Sequence, residues 1–332
     1  MVALLDLLGP NALQYLGSIG SARSAIAQQW QPTRRIFEYY LDENWVQFDR
    51  AIDLVFKEVE AIEDVSWPTG DTTHERATRA YTSVQLLTGE LVIPSVPMHH
   101  FWQNYSETHL RALEVASFVD MLRADRESGT LPQLERSTFD LVDLFIQRHE
   151  MWAMGGIGRL LDPDRNSVWD ELELARDEFG AVRDLYQQAF ETICKTLRYL
   201  IAARNSAERQ DPNDFGSDHP ESVPSKKRPR NMRDFDRLPN AFRIAYVKQT
   251  LGWEGLTNSL DSRERNTIGH ASVRHDLRTG LIISPGYAEG ITYLTFLSRV
   301  YDLFDALAMT MHVVRFARVA SSPDFAVNSA VT

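Results

Sequence analysis

The chain has 332 residues, 43% of them hydrophobic, a single cysteine and a formal net charge of −11 at pH 7. Such a length can bury a sizeable core without help, and one cysteine excludes a disulfide within the chain. The negative charge excludes a protein that binds a polyanion over its whole surface, so any contact with nucleic acid has to be local.

No apolar run reaches the length of a membrane span. The opening stretch is apolar, but it lacks a basic leader and is broken by Asp6, Gly9 and Pro10, which argues against a secretory signal. We therefore expect a cytoplasmic protein with no membrane partner.

Residues 1–164 are predicted to form a helical N-terminal domain, because apolar residues recur there at helical spacing. The aromatic residues between positions 30 and 48 follow this spacing, which favours core packing over a platform for stacked bases. The stretch 83–97 contains β-branched residues and two prolines. It predicts either a short hairpin or an irregular loop.

Two features of this half could indicate a ligand. His99, His100 and His109 have no carboxylate at ligand spacing, which favours a structural or partner-contact role over a metal site. The glycine-rich segment 154–158 follows a helix, whereas a dinucleotide-binding loop follows a strand. We interpret it as a helix end and connector, place a domain boundary at 161–164, and expect neither a metal nor a cofactor.

Residues 165–322 are predicted to form a second helical unit. A long amphipathic helix is expected from Val168 to about Arg204, with Cys194 as a small core residue. A polar insert at 205–237 has few large apolar residues and is predicted to be a mobile loop. Further helices are expected over 241–256 and 287–319, and residues 323–332 are expected to form a flexible tail.

The insert contains a compact basic cluster, formed by Lys226, Lys227, Arg228 and Arg230. It could hold a nucleic-acid backbone or could simply be solvated.

The segment 261–270 is the one place where the sequence suggests a chemistry. Asp261 and Ser262 are a helix-start signal, so the segment is predicted to open on a short helix. Asn266 and His270 are four residues apart and would share one helix face, and the long side chain of Arg265 can reach the same point.

A strand, turn and strand are predicted next, with Gly280 in the turn where a positive φ is needed. Arg274, His275 and Arg278 in this hairpin, together with Arg263 before the motif, could contact substrate phosphates. A solvated hairpin edge is the alternative.

This order of elements, a long helix, a second helix, the motif, a two-stranded excursion and a final helix, resembles the HEPN superfamily (higher eukaryotes and prokaryotes nucleotide-binding domains). The resemblance covers about residues 168–319. In that family an arginine is followed after four to six residues by a histidine, with a polar residue, often asparagine, directly after the arginine. Arg265, Asn266 and His270 match these positions.

The helical spacing along the chain predicts a mainly all-α fold with a helical N-terminal domain. For the C-terminal half the resemblance implies a HEPN-like four-helix bundle, which would carry the short β-hairpin predicted above. It also implies a homodimer or higher oligomer with a composite site, and a metal-independent endoribonuclease of toxin or anti-phage defence type acting on RNA.

RNA supplies its own nucleophile, the 2′-hydroxyl, so the protein has to move protons and stabilise charge on the phosphate. Histidine can shuttle protons near neutral pH, arginine can bind the non-bridging oxygens, and asparagine can orient either. The expected products carry 2′,3′-cyclic phosphate and 5′-hydroxyl ends. The N-terminal half is then a sensor, regulator or assembly surface, and a regulatory partner protein is a further expectation. The alternative is a non-catalytic helical binding or scaffold protein.

Overall fold

The computed structural model describes residues 11–63, 70–160, 178–269, 273–284 and 287–325. Within these ranges the chain is mainly helical and has one small sheet near its C-terminus, which confirms the predicted fold class. The helices are α1 (Asn11–Ala25), α2 (Gln31–Leu41), α3 (Trp45–Glu63), α4 (Thr73–Leu91), α5 (Val96–Leu113), α6 (Ala116–Glu127), α7 (Thr130–Gln147), α8 (His149–Trp152), α9 (Phe179–Arg209), α10 (Met232–Asp236), α11 (Asn240–Lys248), α12 (Glu254–Asn258), α13 (Ser262–Gly269) and α14 (Tyr293–Ala320). A π-helical turn (Ile26–Trp30) joins α1 to α2, and 3-10 helices span Ala153–Leu160 and Ser225–Lys227.

The two long helices, α9 and α14, lie at the centre of the fold. They pack against each other, and both also contact α5 and α7 from the first half of the chain. Buried apolar side chains from Ala22 to Ala320 form one contiguous core. The bundle around α9 and α14 therefore includes helices from both predicted units. The proposed boundary at 161–164 lies outside the described residues, and the division into 1–164 and 165–322 stays a prediction.

A buried polar network connects the first helices to the last one. The Glu135 carboxylate on α7 accepts hydrogen bonds from the hydroxyls of Tyr40 and Tyr81, each at 2.9 Å. Arg318 of α14 lies 3.4 Å from the same carboxylate. Burial raises the pKa of Glu135 above its usual range. Removing one partner would leave an uncompensated buried charge, so this network specifies how α2, α4, α7 and α14 fit together.

The prediction of a hairpin or an irregular loop at residues 83–97 is wrong. Helix α4 continues through Leu91 and α5 begins at Val96, so the expected hairpin or loop is reduced to a short connection. The hydroxyls of Ser83 and Thr88 donate to carbonyls within α4, at 2.7 and 3.3 Å, which satisfies these polar side chains inside the helix. The aromatic prediction is confirmed, since Trp30, Phe37, Tyr40 and Phe48 are all buried.

The glycine-rich segment 154–158 belongs to the 3-10 helix and packs tightly on α14. A Cβ on Gly155 would lie 2.8 Å from the backbone nitrogen of Ser298 and still closer to the carbonyl of Leu297. Glycine therefore serves a close approach between two backbones here. This packing fits a structural connector and not a phosphate-binding loop.

The polar insert at 205–237 was predicted to be a mobile loop, but it contains helical residues and buried apolar side chains. Helix α9 extends to Arg209, and Phe215, Val223 and Phe235 are buried farther along. The ring of Phe235 lies 5.8 Å from that of Phe215 and 5.9 Å from that of Tyr246. A few well-spaced apolar residues are thus enough to dock the insert on α11.

Two helix predictions near the C-terminus were also too long. Residues 241–256 form two short helices, separated by Gly252 at φ +84°. Residues 287–292 form a strand, and α14 begins only at Tyr293, where the Thr292 hydroxyl accepts from the backbone N–H of Thr295 at 3.1 Å.

The predicted hairpin is confirmed and gains a third strand. Strands β1 (Arg274–Asp276), β2 (Leu281–Ser284) and β3 (Tyr287–Thr292) form an antiparallel sheet in sequence order. Gly280 has the expected positive φ, +67°.

At the start of the predicted tail, Asp324 accepts a hydrogen bond from the backbone N–H of Thr73 at 2.5 Å. Among the described residues, no helix combines the length and the apolar character needed to cross a bilayer.

Candidate active site

Helix α13 carries the Arg265-Asn266 pair, and its start is fixed by a local cap. The Asp261 carboxylate accepts hydrogen bonds from the backbone N–H groups of Arg263 and Glu264, at 2.7 and 3.2 Å. This is the helix start that the sequence predicted. Ile268, one turn further on, is fully buried and anchors the short helix in the core.

Two ion pairs attach α13 to both long helices. The Arg265 guanidinium lies 2.5 Å from the carboxylate of Glu191 on α9. The preceding residue, Glu264, pairs with Arg299 on α14. Because neighbouring residues are held by different helices, the orientation of α13 about its own axis is restrained.

Glu191 is the centre of the local contacts. One of its oxygens meets Arg265, and the other accepts a hydrogen bond from the side-chain amide of Asn240 at 2.9 Å. Arg265 also donates to the Asn266 side-chain oxygen at 3.3 Å. The arginine and the asparagine of the motif are therefore in contact. Glu191 was not predicted, because its partners are distant in sequence and its local pattern is that of an ordinary amphipathic helix.

The arginine and the asparagine remain accessible to solvent. About a third of the Arg265 side chain is exposed, and Asn266 is an exposed residue. His270 lies outside the described residues, as do residues 271 and 272. Its convergence with Arg265 and Asn266 stays a prediction.

A groove of about 620 Å³ between α7 and α9 borders Arg265. Its lining includes the carboxylates of Asp140, Asp143 and Glu191 and only two cations, those of Lys195 and Arg265. A polyanion is not attracted into such a groove. An anionic ligand would meet Arg265 more favourably from the solvent side, where Asn266 is exposed.

The basic residues near the motif differ in their surroundings. Arg263, Arg274 and Arg278 are exposed, as a phosphate contact requires. His275 is half-buried, and its ring stacks on Tyr293 with ring centres 4.8 Å apart. His275 is thus engaged in packing the sheet on α14, and its contact with RNA stays a prediction.

Lys226, Lys227, Arg228 and Arg230 of the basic cluster are all exposed residues. The Lys227 ammonium lies 5.3 Å from the centre of the Phe242 ring on α11. The first residue of α11, Asn240, binds Glu191 at the candidate site. Helix α11 therefore connects the basic cluster to the surroundings of Arg265.

Within the described ranges, no three His, Cys, Asp or Glu side chains are grouped so that they could hold a metal ion. Cys194 is buried, and burial raises the pKa of its thiol to about 12, which agrees with its predicted role as a core residue.

No protein-family model, curated protein or solved structure matches this chain. The resemblance to the HEPN superfamily accordingly depends on the motif residues and on the order of elements around them.

Proposed function

We propose that this protein is a HEPN-like, metal-independent endoribonuclease in which Arg265, Asn266 and His270 act on a phosphodiester of RNA. One observation carries the proposal: Arg265 and Asn266 lie side by side and accessible on a helix that two ion pairs fix to the central bundle. A restrained guanidinium beside an amide is an arrangement that suits a phosphate group.

In this proposal Arg265 binds the non-bridging oxygens as they gain charge in the transition state. Its guanidinium has five N–H groups in three nitrogens, and Glu191 and Asn266 each engage one nitrogen. Donors therefore remain for a phosphate oxygen. Asn266 orients the phosphate or the imidazole, and His270 transfers protons between the 2′-hydroxyl and the leaving 5′-oxygen. The products would be 2′,3′-cyclic phosphate and 5′-hydroxyl ends.

The exposed arginines around the motif supply the local positive charge that a protein of net charge −11 needs at an RNA-binding surface. Arg263, Arg274 and Arg278 are in this position, and α11 extends the surface toward the basic cluster. We further propose a cytoplasmic toxin or defence enzyme that assembles as a dimer with a composite site. Its N-terminal helices would regulate it, alone or with a partner protein.

The test is cleavage of total RNA by the full chain in EDTA, with the ends of the products identified. Cleavage that Arg265→Ala and His270→Ala each reduce at least 100-fold would support the proposal. Arg50→Ala, which removes an exposed arginine on α3, is the matched control and should leave the rate unchanged. Undiminished cleavage by either site variant would remove that residue from the site.

A second function has one observation in its favour. Arg265 already has a carboxylate partner in Glu191, as it would in a helical binding or scaffold protein where the pair is only structural. Intact RNA after incubation with a correctly folded dimer, together with a lower melting temperature of Arg265→Ala, would favour that function.

A further inference from the structure

A second pocket, far from α13, contains a buried arginine, Arg204, that has no ion-pair partner among the described residues. It encloses about 320 Å³ at the C-terminal end of α9, where the loop after α11 meets α5. Its lining includes the buried Arg204, the half-buried Thr250 and Asn104, and the exposed Arg111 and Asp218. Arg204 is 13 residues beyond Glu191 on the same helix, which places it about 20 Å away along the axis.

Arg204 differs from the other buried arginines. Three arginines are buried among the described residues: Arg79, Arg204 and Arg318. Arg79 pairs with Asp53 at 2.5 Å, and Arg318 lies 3.4 Å from Glu135. Arg204 has no carboxylate within ion-pair distance among the described residues, although its side chain is only 7% exposed. A buried charge without a counterion is costly, which is why buried arginines are nearly always paired.

The contacts that Arg204 does make are with neutral groups. One terminal nitrogen donates to the backbone oxygen of Tyr246 at 3.0 Å and to the Thr250 hydroxyl at 3.2 Å. Its Nε is buried without a hydrogen-bond partner in the described part of the chain. The hydrogen bonds of Nη1 therefore hold the Arg204 guanidinium in place, while other N–H groups of the same guanidinium have no acceptor among the described residues. Burial lowers the pKa of Arg204, and the nearby carboxylates of Glu208 and Asp218 offset this effect only in part.

The charged residues that line the pocket do not balance one another, and the excess is one positive charge. Arg209, which also lines the pocket, is already paired with Glu208 at 2.8 Å. Arg111 is exposed at the rim, and Asp218 is an exposed carboxylate of the insert. Counting the two unpaired arginines against Asp218 leaves the pocket with a net positive charge of one.

We propose that this pocket binds a small ligand through an oxyanion group, a phosphate or a carboxylate, with Arg204 as the main contact and Arg111 at the entrance. Nη1 of Arg204 is engaged and its Nε is buried, so Nη2 is the nitrogen whose N–H groups can donate to the oxygens of either group. The volume lies at the lower end of the range for small-molecule sites, which fits a compact metabolite better than a polymer. The site does not depend on the ribonuclease proposal, since none of its residues lies on α13.

The experiment is calorimetric titration of the full chain with inorganic phosphate and, separately, with succinate, at constant ionic strength set by sodium chloride. Binding of one equivalent of either anion is expected, and the anion that binds tells which oxyanion the site prefers. Arg204→Lys keeps the positive charge but loses the guanidinium, and should weaken the affinity at least tenfold. Arg111→Ala, at an exposed position, should weaken it without affecting the fold.

Two further variants sharpen the test. Asp218→Asn removes the one unpaired carboxylate, so it should tighten binding severalfold, whereas Arg50→Ala should change nothing. If Arg204→Lys does not fold, the opposite effects of Arg111→Ala and Asp218→Asn still decide the question. Absence of binding to either anion in the wild-type protein would overturn the proposal, as would equal affinities in Arg204→Lys and the wild type.

Discussion

Two histidines, the buried His109 and the half-buried His312, should make the fold sensitive to mild acid. His109 of α5 stacks on Phe316 with ring centres 4.8 Å apart, and the ring of His312 on α14 lies 4.2 Å from that of Trp102. Burial lowers the pKa of each imidazole to about 3, with the nearby Arg315 as a second cause for His312. Among the described residues, neither Nδ1 has a hydrogen-bond partner. Both histidines are therefore neutral in the folded protein.

The sign and the size of the effect follow from these values. The folded-state pKa lies below the unfolded value of about 6.5, so the stabilisation is fully present above pH 6.5 and is lost as the pH falls toward 3. At pH 5 each of these imidazoles is protonated in the unfolded chain but not in the folded chain. This difference lowers the free energy of the unfolded state by about 2 kcal/mol per histidine. His109 and His312 together would thus cost about 4 kcal/mol at pH 5, a large part of the roughly 5–15 kcal/mol by which a protein is stable.

Urea unfolding at pH 8 and pH 5 measures this loss. His109→Gln cannot titrate, so its free energy of unfolding should fall by about 2 kcal/mol less than that of the wild type between the two pH values. Buried carboxylates such as Glu135, whose pKa is raised, act in the opposite direction but contribute equally to both proteins. His99→Gln, at an exposed position of the same helix, is the control and should behave as the wild type. Equal pH dependence of His109→Gln and the wild type would refute the reasoning.

Two substitutions test the packing that the sequence did not predict, both read by chemical denaturation. Gly155→Ala should destabilise the fold by about 3 kcal/mol, because the new Cβ would meet the backbone of α14, whereas Gly89→Ala, with open space around it, should stabilise α4 by up to about 1 kcal/mol. A neutral Gly155→Ala would contradict the close approach. Phe235→Ala should cost about 3–5 kcal/mol since its ring is fully buried, whereas Leu251→Ala, at an 88% exposed position, should cost little. Equal costs for these two would mean that the insert is not docked as described.

The sequence predicted most of the fold where the signal is local. The cap at Asp261, the turn glycine Gly280 and the aromatic pattern of α2 and α3 are each properties of a few neighbouring residues, and each is confirmed. The wrong predictions concern segments whose structure depends on contacts with residues far away in the sequence. Residues 83–91 include Val84, Thr88 and Gly89, which are poor helix-formers, yet packing of α4 on α14 holds them in a helix, since burial of a helix face outweighs intrinsic propensity.

The insert and the start of α14 show the same limitation. The composition of 205–237 predicted a mobile segment, because it has few apolar residues. Whether the segment packs on α11 depends on where those few apolar side chains lie, and composition does not show this. The apolar residues of 287–292 fit a helix as well as a strand, and only pairing with β2 decides between them.

At the candidate site the sequence could predict that Arg265 and Asn266 lie together, because one short helix carries both. It could not predict Glu191 or Asn240, whose contact with each other depends on how α9 and α11 pack. Nor could spacing alone tell Arg204 from the other arginines. What distinguishes it is the absence of a carboxylate partner among the described residues, which is a property of the fold.

The contrast between two arginine pairs bears on the choice between the proposed functions. The Arg318–Glu135 pair is almost completely buried and, together with Tyr40 and Tyr81, joins four helices, so the loss of either charged partner would leave a buried charge uncompensated. The Arg265–Glu191 pair has about a third or more of both side chains in solvent, and exposed pairs of this kind contribute about 0–1 kcal/mol. Stability alone therefore gives little reason for an arginine at position 265. The larger consequence of the pair is positional, since Glu191 holds the guanidinium against Asn266 on the solvent side of α13, where a phosphate could reach both.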